Sequence, residues 1–157
     1  CGAIVESHLA KWPPETWRRE LPRLARELGE FHRAGHWHGG AQIKNLTLRD
    51  GVSYRIDFEE DFGEILPLPV THAADRVLFI NSVSLSGPID EMEARQLLPQ
   101  LLDHYFAANP DPEIREVIRR ALPMLKRLAP IAGLFRRWSN KGIPRVLILA
   151  DVFSTVK

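Results

Sequence analysis

The stretch that decides the fold of this chain reads His38-Gly39-Gly40-Ala41-Gln42-Ile43-Lys44-Asn45. A helix is predicted before it, because apolar residues recur there every three or four positions. These residues are Trp17, Leu21, Leu24, Leu28 and Phe31. After it, residues 46–48 and the alternating run 52–58 flank Asp50-Gly51, a dipeptide typical of hairpin turns. The sequence therefore predicts a helix, a loop and a β-hairpin, in that order.

The predicted first helix begins at Pro13-Pro14-Glu15-Thr16. Pro22 lies inside its apolar pattern, and we expect this proline to kink or split the helix because it lacks a backbone N–H donor. Gly35 is expected to end the helix, since glycine readily adopts the positive φ that follows many helix ends.

Beyond the hairpin the apolar residues recur at helical spacing, and three helices are predicted. They cover residues 74–84, 90–106 and 113–128. Gly87-Pro88 and the run 109–112 separate them. Pro99 and Pro123 fall inside the second and third helices, and we expect them to bend those helices or shift their boundaries.

Residues 144–156 fit either a helix or a strand, because an apolar run this short does not distinguish the two. The chain has 157 residues, 45% of them hydrophobic, which suits one domain with a substantial core. The sequence therefore predicts a single α+β domain over residues 1–157 that is mainly helical and carries a small β-hairpin.

Charge and cysteine content exclude several kinds of protein. Lys and Arg number 21 against 20 Asp and Glu, a net charge of +1. The net charge therefore gives the molecule no overall electrostatic attraction to nucleic acid. One cysteine excludes an internal disulfide and any multi-cysteine metal site. The apolar stretches, such as residues 146–150, fall short of the ~20 residues that span a bilayer. We expect a soluble, cytoplasmic protein, or at most a peripheral one at the inner membrane.

The chain begins at Cys1, without an initiator Met and without a basic or apolar leader. Two interpretations follow from this start. Cys1 is the lipidated first residue of a mature lipoprotein, or a part of the chain upstream of it is missing.

Two motifs carry a resemblance to kinases. The spacing from His38 to Asn45 matches the His-x-Asp-x-x-x-x-Asn catalytic loop, and Ile56-Asp57-Phe58-Glu59 follows the hairpin where kinases place Asp-Phe-Gly. Residues 28–35 resemble the end of the long helix that leads into that loop. The chain thus resembles the C-terminal lobe of the protein-kinase-like superfamily, and in particular small atypical bacterial kinases such as lipopolysaccharide sugar kinases and aminoglycoside phosphotransferases. The fold implied is a mainly helical kinase-like C-lobe from which the N-lobe is absent.

The resemblance implies a Mg²⁺ and ATP site. Asn45 would hold a metal ion through its amide oxygen, and Asp57 would bind the Mg²⁺ that bridges the nucleotide phosphates. Lys44 stands where a basic side chain meets the transferred phosphoryl group. His38 would brace the loop, and Gln42 is the side chain left to orient a nucleophile. His38, Gln42 and Lys44 are therefore the candidate catalytic residues.

This chain departs from the kinase pattern. Gly40 replaces the catalytic Asp, so the usual proton acceptor is absent. Glu59 stands in place of the Gly after Asp-Phe, and Asp61-Phe62-Gly63 is a second candidate that lies beyond the alternating strand. The chain also starts about where the hinge between the lobes would lie, with no Gly-rich loop before the motifs.

Two functions follow from the resemblance. One is a phosphotransferase that moves phosphate from ATP to a hydroxyl of a glycan, a small molecule or a protein, working with a separate N-terminal lobe. The other is a non-catalytic pseudokinase module that binds a partner protein.

The histidines suggest a different enzyme class. His32 and His36 are four residues apart, a spacing that binds zinc when both lie on one helix face, and His38 would be the third ligand. A zinc-bound water would make this a hydrolase, with Glu30 or Asp57 as its base.

The region from residue 113 to residue 138 is basic and amphipathic. Its cations are Arg115, Arg119, Arg120, Lys126, Arg127, Arg136 and Arg137, and Lys141 follows. Such a stretch favours a peripheral contact with an anionic membrane, although an ordinary bundle helix with a charged face fits as well. Nucleic acid is not an expected partner, because no aromatic stacking platform accompanies the charge.

Overall fold

The computed structural model describes residues 2–58, 65–134 and 142–154. In chain order the elements are β1 Ala3–Ile4, α1 Val5–Leu9, α2 Pro14–Arg33, the 3₁₀ turn Ile43–Asn45, β2 Leu46–Arg49, β3 Val52–Arg55, α3 Leu68–Val83, α4 Glu91–Ala108, α5 Pro112–Leu134 and α6 Gly142–Ser154. The described residues thus form an α+β fold, with six helices and one small antiparallel sheet.

The packing of helix α2 positions the loop that follows it. Its apolar stripe, including Trp17, Leu21 and Leu28, is buried, while arginine–glutamate pairs line its other side. The helix runs through Pro22 without a break, so the expected split is wrong. Gly35 follows the helix with φ +82°, which confirms that the chain leaves the helix there. The buried stripe packs α2 along α4 and fixes where the next loop begins.

The sheet joins the predicted hairpin to the start of the chain. β2 and β3 pair antiparallel, with Arg49 opposite Val52, and Asp50 and Gly51 both have positive φ as a type I′ turn requires. The hairpin is therefore confirmed, although β3 ends at Arg55 before the alternating pattern does. Ala3–Ile4 adds a third strand that was not predicted, because two residues show no alternation.

The helices after the hairpin are longer than predicted. Helix α3 begins at Leu68 and not at residue 74, and α5 reaches Leu134. The run 144–156, left open between helix and strand, forms most of α6, which packs against α5 and α4. Helices α4 and α5 pass through Pro99 and Pro123 unbroken.

A buried core joins α2, α3, α4 and α6. It includes Leu24, Phe79, Leu98, Leu101 and Phe153. Asp90 caps α4 by accepting a hydrogen bond from the Glu93 N–H at 2.8 Å, and so fixes where that helix starts. In the part of the chain that the structure describes, no helix combines the length and the apolar character that crossing a membrane requires.

Candidate functional site

One carboxylate holds the loop between α2 and the 3₁₀ turn. Asp75 of α3 is fully buried, and its Oδ2 accepts a hydrogen bond from the His38 N–H at 2.6 Å. The Ala41 N–H donates to Oδ1 at 3.4 Å, and His32 Nε2–H donates to Oδ2 at 3.3 Å. Because three donors from two segments meet at this side chain, Asp75 sets the backbone path of the loop.

Asn45 is fixed at the other end of the same loop. Its side chain is buried, and Nδ2 donates to the Gly40 carbonyl at 2.9 Å. The Asn45 carbonyl in turn accepts a hydrogen bond from the Ile56 N–H at 3.0 Å, which joins the loop to the end of the hairpin. The amide oxygen of Asn45 is then the side-chain atom left for a cation.

Asp57 lies one residue beyond this junction. It is exposed and has φ +60°, a left-handed conformation that is uncommon for any residue other than glycine. Phe58 follows, and its ring stacks on that of His38 with the centroids 4.5 Å apart and the planes at 14°. Two contacts, one on each side of Asp57, thus attach this residue to the loop that carries Asn45. Asp50 in the hairpin turn is also exposed with a positive φ, so the attachment of Asp57 to the Asn45 loop is what makes Asp57 the candidate site residue.

His38 braces the loop. It is buried, and its Nδ1 accepts a hydrogen bond from the Gly40 N–H at 3.2 Å. Burial lowers the pKa of His38, an effect only partly opposed by the charge of Asp75, so the ring is neutral at pH 7. Its Nε2 has no hydrogen-bond partner among the described residues.

Gln42 and Lys44 occupy different environments. Gln42 is half-buried and accepts the Asn45 N–H through its backbone carbonyl at 2.9 Å, and so it closes the 3₁₀ turn. Lys44 is exposed in that turn. Gly40 contributes only its backbone, whose carbonyl accepts both the Gln42 N–H, at 2.6 Å, and the Asn45 side chain. Glu59 and Asp61-Phe62-Gly63, the competing motif, lie outside the described residues.

The prediction of a zinc site is wrong. Helix α2 ends at Arg33 and the chain turns at Gly35, so His32 and His36 do not share a helix face. His32 points into the core, where Tyr105 O–H donates to Nδ1 at 2.7 Å and Nε2–H donates to Asp75. Burial lowers the pKa of His32 to about 4. His36 is exposed, and no cluster of three potential ligands occurs among the described residues. The described structure therefore does not assemble these histidines into the site expected for a zinc hydrolase with Glu30 or Asp57 as its base.

Three residues of this site were missed in the sequence: Asp75, His72 and Tyr105. The His72 ring stacks on His32 with centroids 4.2 Å apart and planes at 8°, and its Nε2–H donates to the His36 carbonyl at 2.8 Å. Burial raises the pKa of Tyr105 to about 12, so it remains a hydroxyl donor. The available signal for Asp75 and His72 was polar residues beside apolar neighbours on α3, but their hydrogen-bond partners lie 34 to 43 residues away in the chain. Tyr105 lies on α4, 73 residues from His32.

An open aromatic depression adjoins Asp57. It has a volume of about 290 Å³ and is lined by Phe31, His36, Trp37 and Phe58. The Arg55 guanidinium lies over Phe31, 4.6 Å from the ring centroid. It brings a positive charge to the edge of the depression. Burial lowers the pKa of Arg55, an effect opposed by Glu27 and Asp75.

Part of the positive charge of the basic region is neutralised by ion pairs within α5. Glu116 pairs with Arg119 at 2.6 Å and with Arg120 at 2.7 Å, so two of the predicted cations on α5 are engaged within their own helix. Arg136, Arg137, Trp138 and Lys141 lie outside the described residues. Lys126 belongs to α5, but its side chain is not described.

Comparison of the chain with known proteins finds no matching family model and no significantly similar curated protein or solved structure.

Proposed function

We propose that this chain is the C-terminal lobe of a kinase-like phosphotransferase whose site is the pair Asn45 and Asp57. The observation that carries the proposal is the hydrogen bond from the Ile56 N–H to the Asn45 carbonyl at 3.0 Å. It joins Asn45 to Ile56, the residue directly before Asp57, across the open end of the hairpin. The exposed, left-handed Asp57 beside it supports the same assignment.

The pair suits Mg²⁺ chemically. Mg²⁺ prefers oxygen ligands and is commonly held by one or two protein groups together with waters and substrate phosphates. Asn45 offers an amide oxygen and Asp57 a carboxylate, and the nucleotide phosphates would complete the coordination. Lys44 and Arg55 supply positive charge near the developing charge of a transferred phosphoryl group.

The chemistry proposed is transfer of the terminal phosphoryl group of ATP to a hydroxyl. The bond from phosphorus to the ADP oxygen breaks, a bond to the acceptor oxygen forms, and the hydroxyl proton leaves to water. A base usually contributes ~10²–10⁴ to such a rate. Gly40 has no side chain, Gln42 does not accept protons at neutral pH, and His38 is buried with Nδ1 engaged. Transfer by this chain would therefore depend on positioning, assisted by a separate N-terminal lobe that covers the nucleotide.

The second candidate is a pseudokinase that binds a partner protein without catalysis. The same absence of a proton acceptor favours it. Both candidates share the Mg²⁺-nucleotide site, and they differ in whether phosphate moves.

Binding is tested by calorimetric titration of Mg²⁺-ATP into the wild type, Asp57→Asn and Asp50→Asn. Asp50 is the matched control, because it is an exposed aspartate with φ +52° in the same hairpin. We expect weak, Mg²⁺-dependent binding that is lost in Asp57→Asn and kept in Asp50→Asn. Absence of binding by the wild type, or equal binding by both variants, contradicts the proposal.

Catalysis is tested with labelled ATP and a panel of glycan, aminoglycoside and protein acceptors. We expect no transfer by the isolated 157 residues, and none after Gly40→Asp alone, because these residues hold no Gly-rich loop before the two motifs that would grip the phosphates. Robust transfer that is lost in Asp57→Ala would contradict this expectation, and Gln42 and His38 would be the first residues to test for the missing role.

A further inference from the structure

The sheet has an unpaired edge at β3. The strand order is β1-β2-β3, so within the described residues β3 has a neighbouring strand on one side only. The Ile56 N–H donates to the Asn45 carbonyl at 3.0 Å, so the backbone of Ile56 is directed toward the β2 side. This direction alternates along an antiparallel strand, so Tyr54 also bonds toward β2. Ser53 and Arg55 therefore direct their N–H and C=O groups to the open edge.

The side chains on the outer face of this edge are apolar. Val52, Tyr54 and Ile56 are 51%, 50% and 41% exposed, and they share one face because side chains alternate along a strand. Ser53 points to the opposite face, where its hydroxyl donates to Glu27 of α2. An exposed apolar stripe thus runs beside a row of unpaired backbone donors and acceptors, the arrangement that pairs with another strand.

The sequence of β3 is complementary to itself when two copies run antiparallel. With Tyr54 opposite Tyr54 of a second copy, Val52 lies opposite Ile56, and Ser53 lies opposite Arg55. Apolar side chains then meet apolar side chains across the pair. Ser53 and Arg55 carry the outward N–H and C=O groups, so they exchange hydrogen bonds with the second copy in this register.

Charge selects this register over its neighbours. A pairing centred on Arg55 would place two arginines opposite each other, and like charges in that position are destabilising. A pairing centred on Ser53 would place Arg55 opposite Gly51, a residue of the turn. In the register centred on Tyr54, Arg55 faces only a serine of the second copy, and its guanidinium stays over Phe31 of its own chain.

We propose that the chain forms a two-fold symmetric dimer in which β3 pairs antiparallel with β3 of a second copy, centred on Tyr54. The two three-stranded sheets then form one continuous sheet. Both copies use the same surface, so the assembly closes after two chains. The paired segment is short, and the dimer therefore dissociates on dilution. The dimer is independent of the function proposed for Asn45 and Asp57.

The test is sedimentation equilibrium of the full chain over a concentration series up to about 1 mM. The mass should rise from that of one chain toward that of two. Amide hydrogen exchange measured by NMR locates the interface. The Ser53 and Arg55 amides should become protected as the concentration rises, whereas the Tyr54 amide, which bonds to β2, should be protected at every concentration.

Two charge variants test the register. Tyr54→Lys and Tyr54→Glu each place like charges ~5 Å apart across the two-fold axis, so each variant alone should be monomeric. An equimolar mixture of the two should dimerise again, because the introduced charges are then opposite in sign. Met92→Lys changes an exposed apolar residue of α4 and should dimerise as the wild type does.

A variant of the edge backbone keeps the test decisive if a Tyr54 variant does not fold by circular dichroism. Ser53→Pro removes an N–H donor from the open edge and leaves the bonds to β2 in place, so it should be monomeric. The proposal is overturned by a wild type that stays monomeric at about 1 mM, by a dimer that persists in the single variants, or by a mixture that does not dimerise.

Discussion

Asp75 and Arg76 are neighbours on α3, both fully buried and both ionisable, yet their surroundings are opposite. The Asp75 carboxylate accepts hydrogen bonds from His38, Ala41 and His32, while the Arg76 guanidinium meets only ring faces among the described residues. The comparison teaches that burial alone does not reveal what an ionisable group does. A carboxylate with several hydrogen bonds fixes the backbone around it, whereas a cation that meets only ring faces keeps most of the cost of its burial.

Replacing Asp75, whose carboxylate accepts three hydrogen bonds, should cause the largest loss of stability. Asp75→Ala leaves the N–H groups of His38 and Ala41 buried without an acceptor, which should reduce the free energy of unfolding by about 3 kcal/mol. Urea unfolding measures this, with the exposed Asp103→Ala on α4 as the control. A loss below about 1 kcal/mol would show that the carboxylate does not hold the loop. If Asp75→Ala is unfolded, Asp75→Asn replaces it.

Acid should weaken the same network. The pKa of folded His32 is about 4, below its ordinary value of 6.5, so between these values the unfolded chain binds a proton that the folded chain excludes. Stability contributed by neutral His32 is thus present above pH 6.5 and declines as the pH falls to about 4, by up to about 3 kcal/mol.

The pH dependence is measured by urea unfolding between pH 7.5 and pH 4 in the wild type, His32→Gln and His104→Gln, which alters an exposed histidine of α4. The decline should become shallower in His32→Gln only. An equally steep decline in all three proteins would assign it to other groups.

Replacing Arg76, whose guanidinium has no hydrogen-bond partner among the described residues, should cost little stability. In a buffer free of phosphate, sulfate and carboxylates, Arg76→Met should be as stable as the wild type or more stable by about 1 kcal/mol, because an apolar side chain replaces an uncompensated charge. Urea unfolding in a chloride buffer gives the difference. A loss of more than about 2 kcal/mol would mean that the aromatic contacts of Arg76 compensate the cost of burying its charge.

The smallest expected effect concerns the binding of α5 to anionic membranes. We expect the chain to bind anionic vesicles weakly at low salt, and this binding to fall as ionic strength rises, because charge is screened over ~10 Å at 0.1 M. The pairing of Glu116 with Arg119 and Arg120 reduces the available charge. Sedimentation with vesicles measures the binding, and Glu116→Gln should strengthen it. Binding that changes neither with salt nor with Glu116→Gln would rule out an electrostatic contact with the anionic membrane.

The local features of the fold could be predicted from the sequence. The hairpin depends on Asp50-Gly51, and the end of α2 depends on Gly35, both of which act within a few residues. The role of Asp75 could not be predicted, because its loop partners lie 34 and 37 residues away. The zinc prediction failed for a local reason: α2 ends at Arg33 and the chain turns at Gly35, so the four-residue spacing of His32 and His36 does not put them on one helix face.

The central claim is that Asn45 and Asp57 together bind a divalent cation with nucleotide phosphates. Mn²⁺ in place of Mg²⁺, with ATP present, broadens the NMR signals of nearby amides and so locates the ion directly. Broadening should centre on the loop from His38 to Asn45 and on Asp57, disappear in Asp57→Asn and persist in Asp50→Asn. Broadening that centres elsewhere, or that survives unchanged in Asp57→Asn, would contradict the kinase-like assignment.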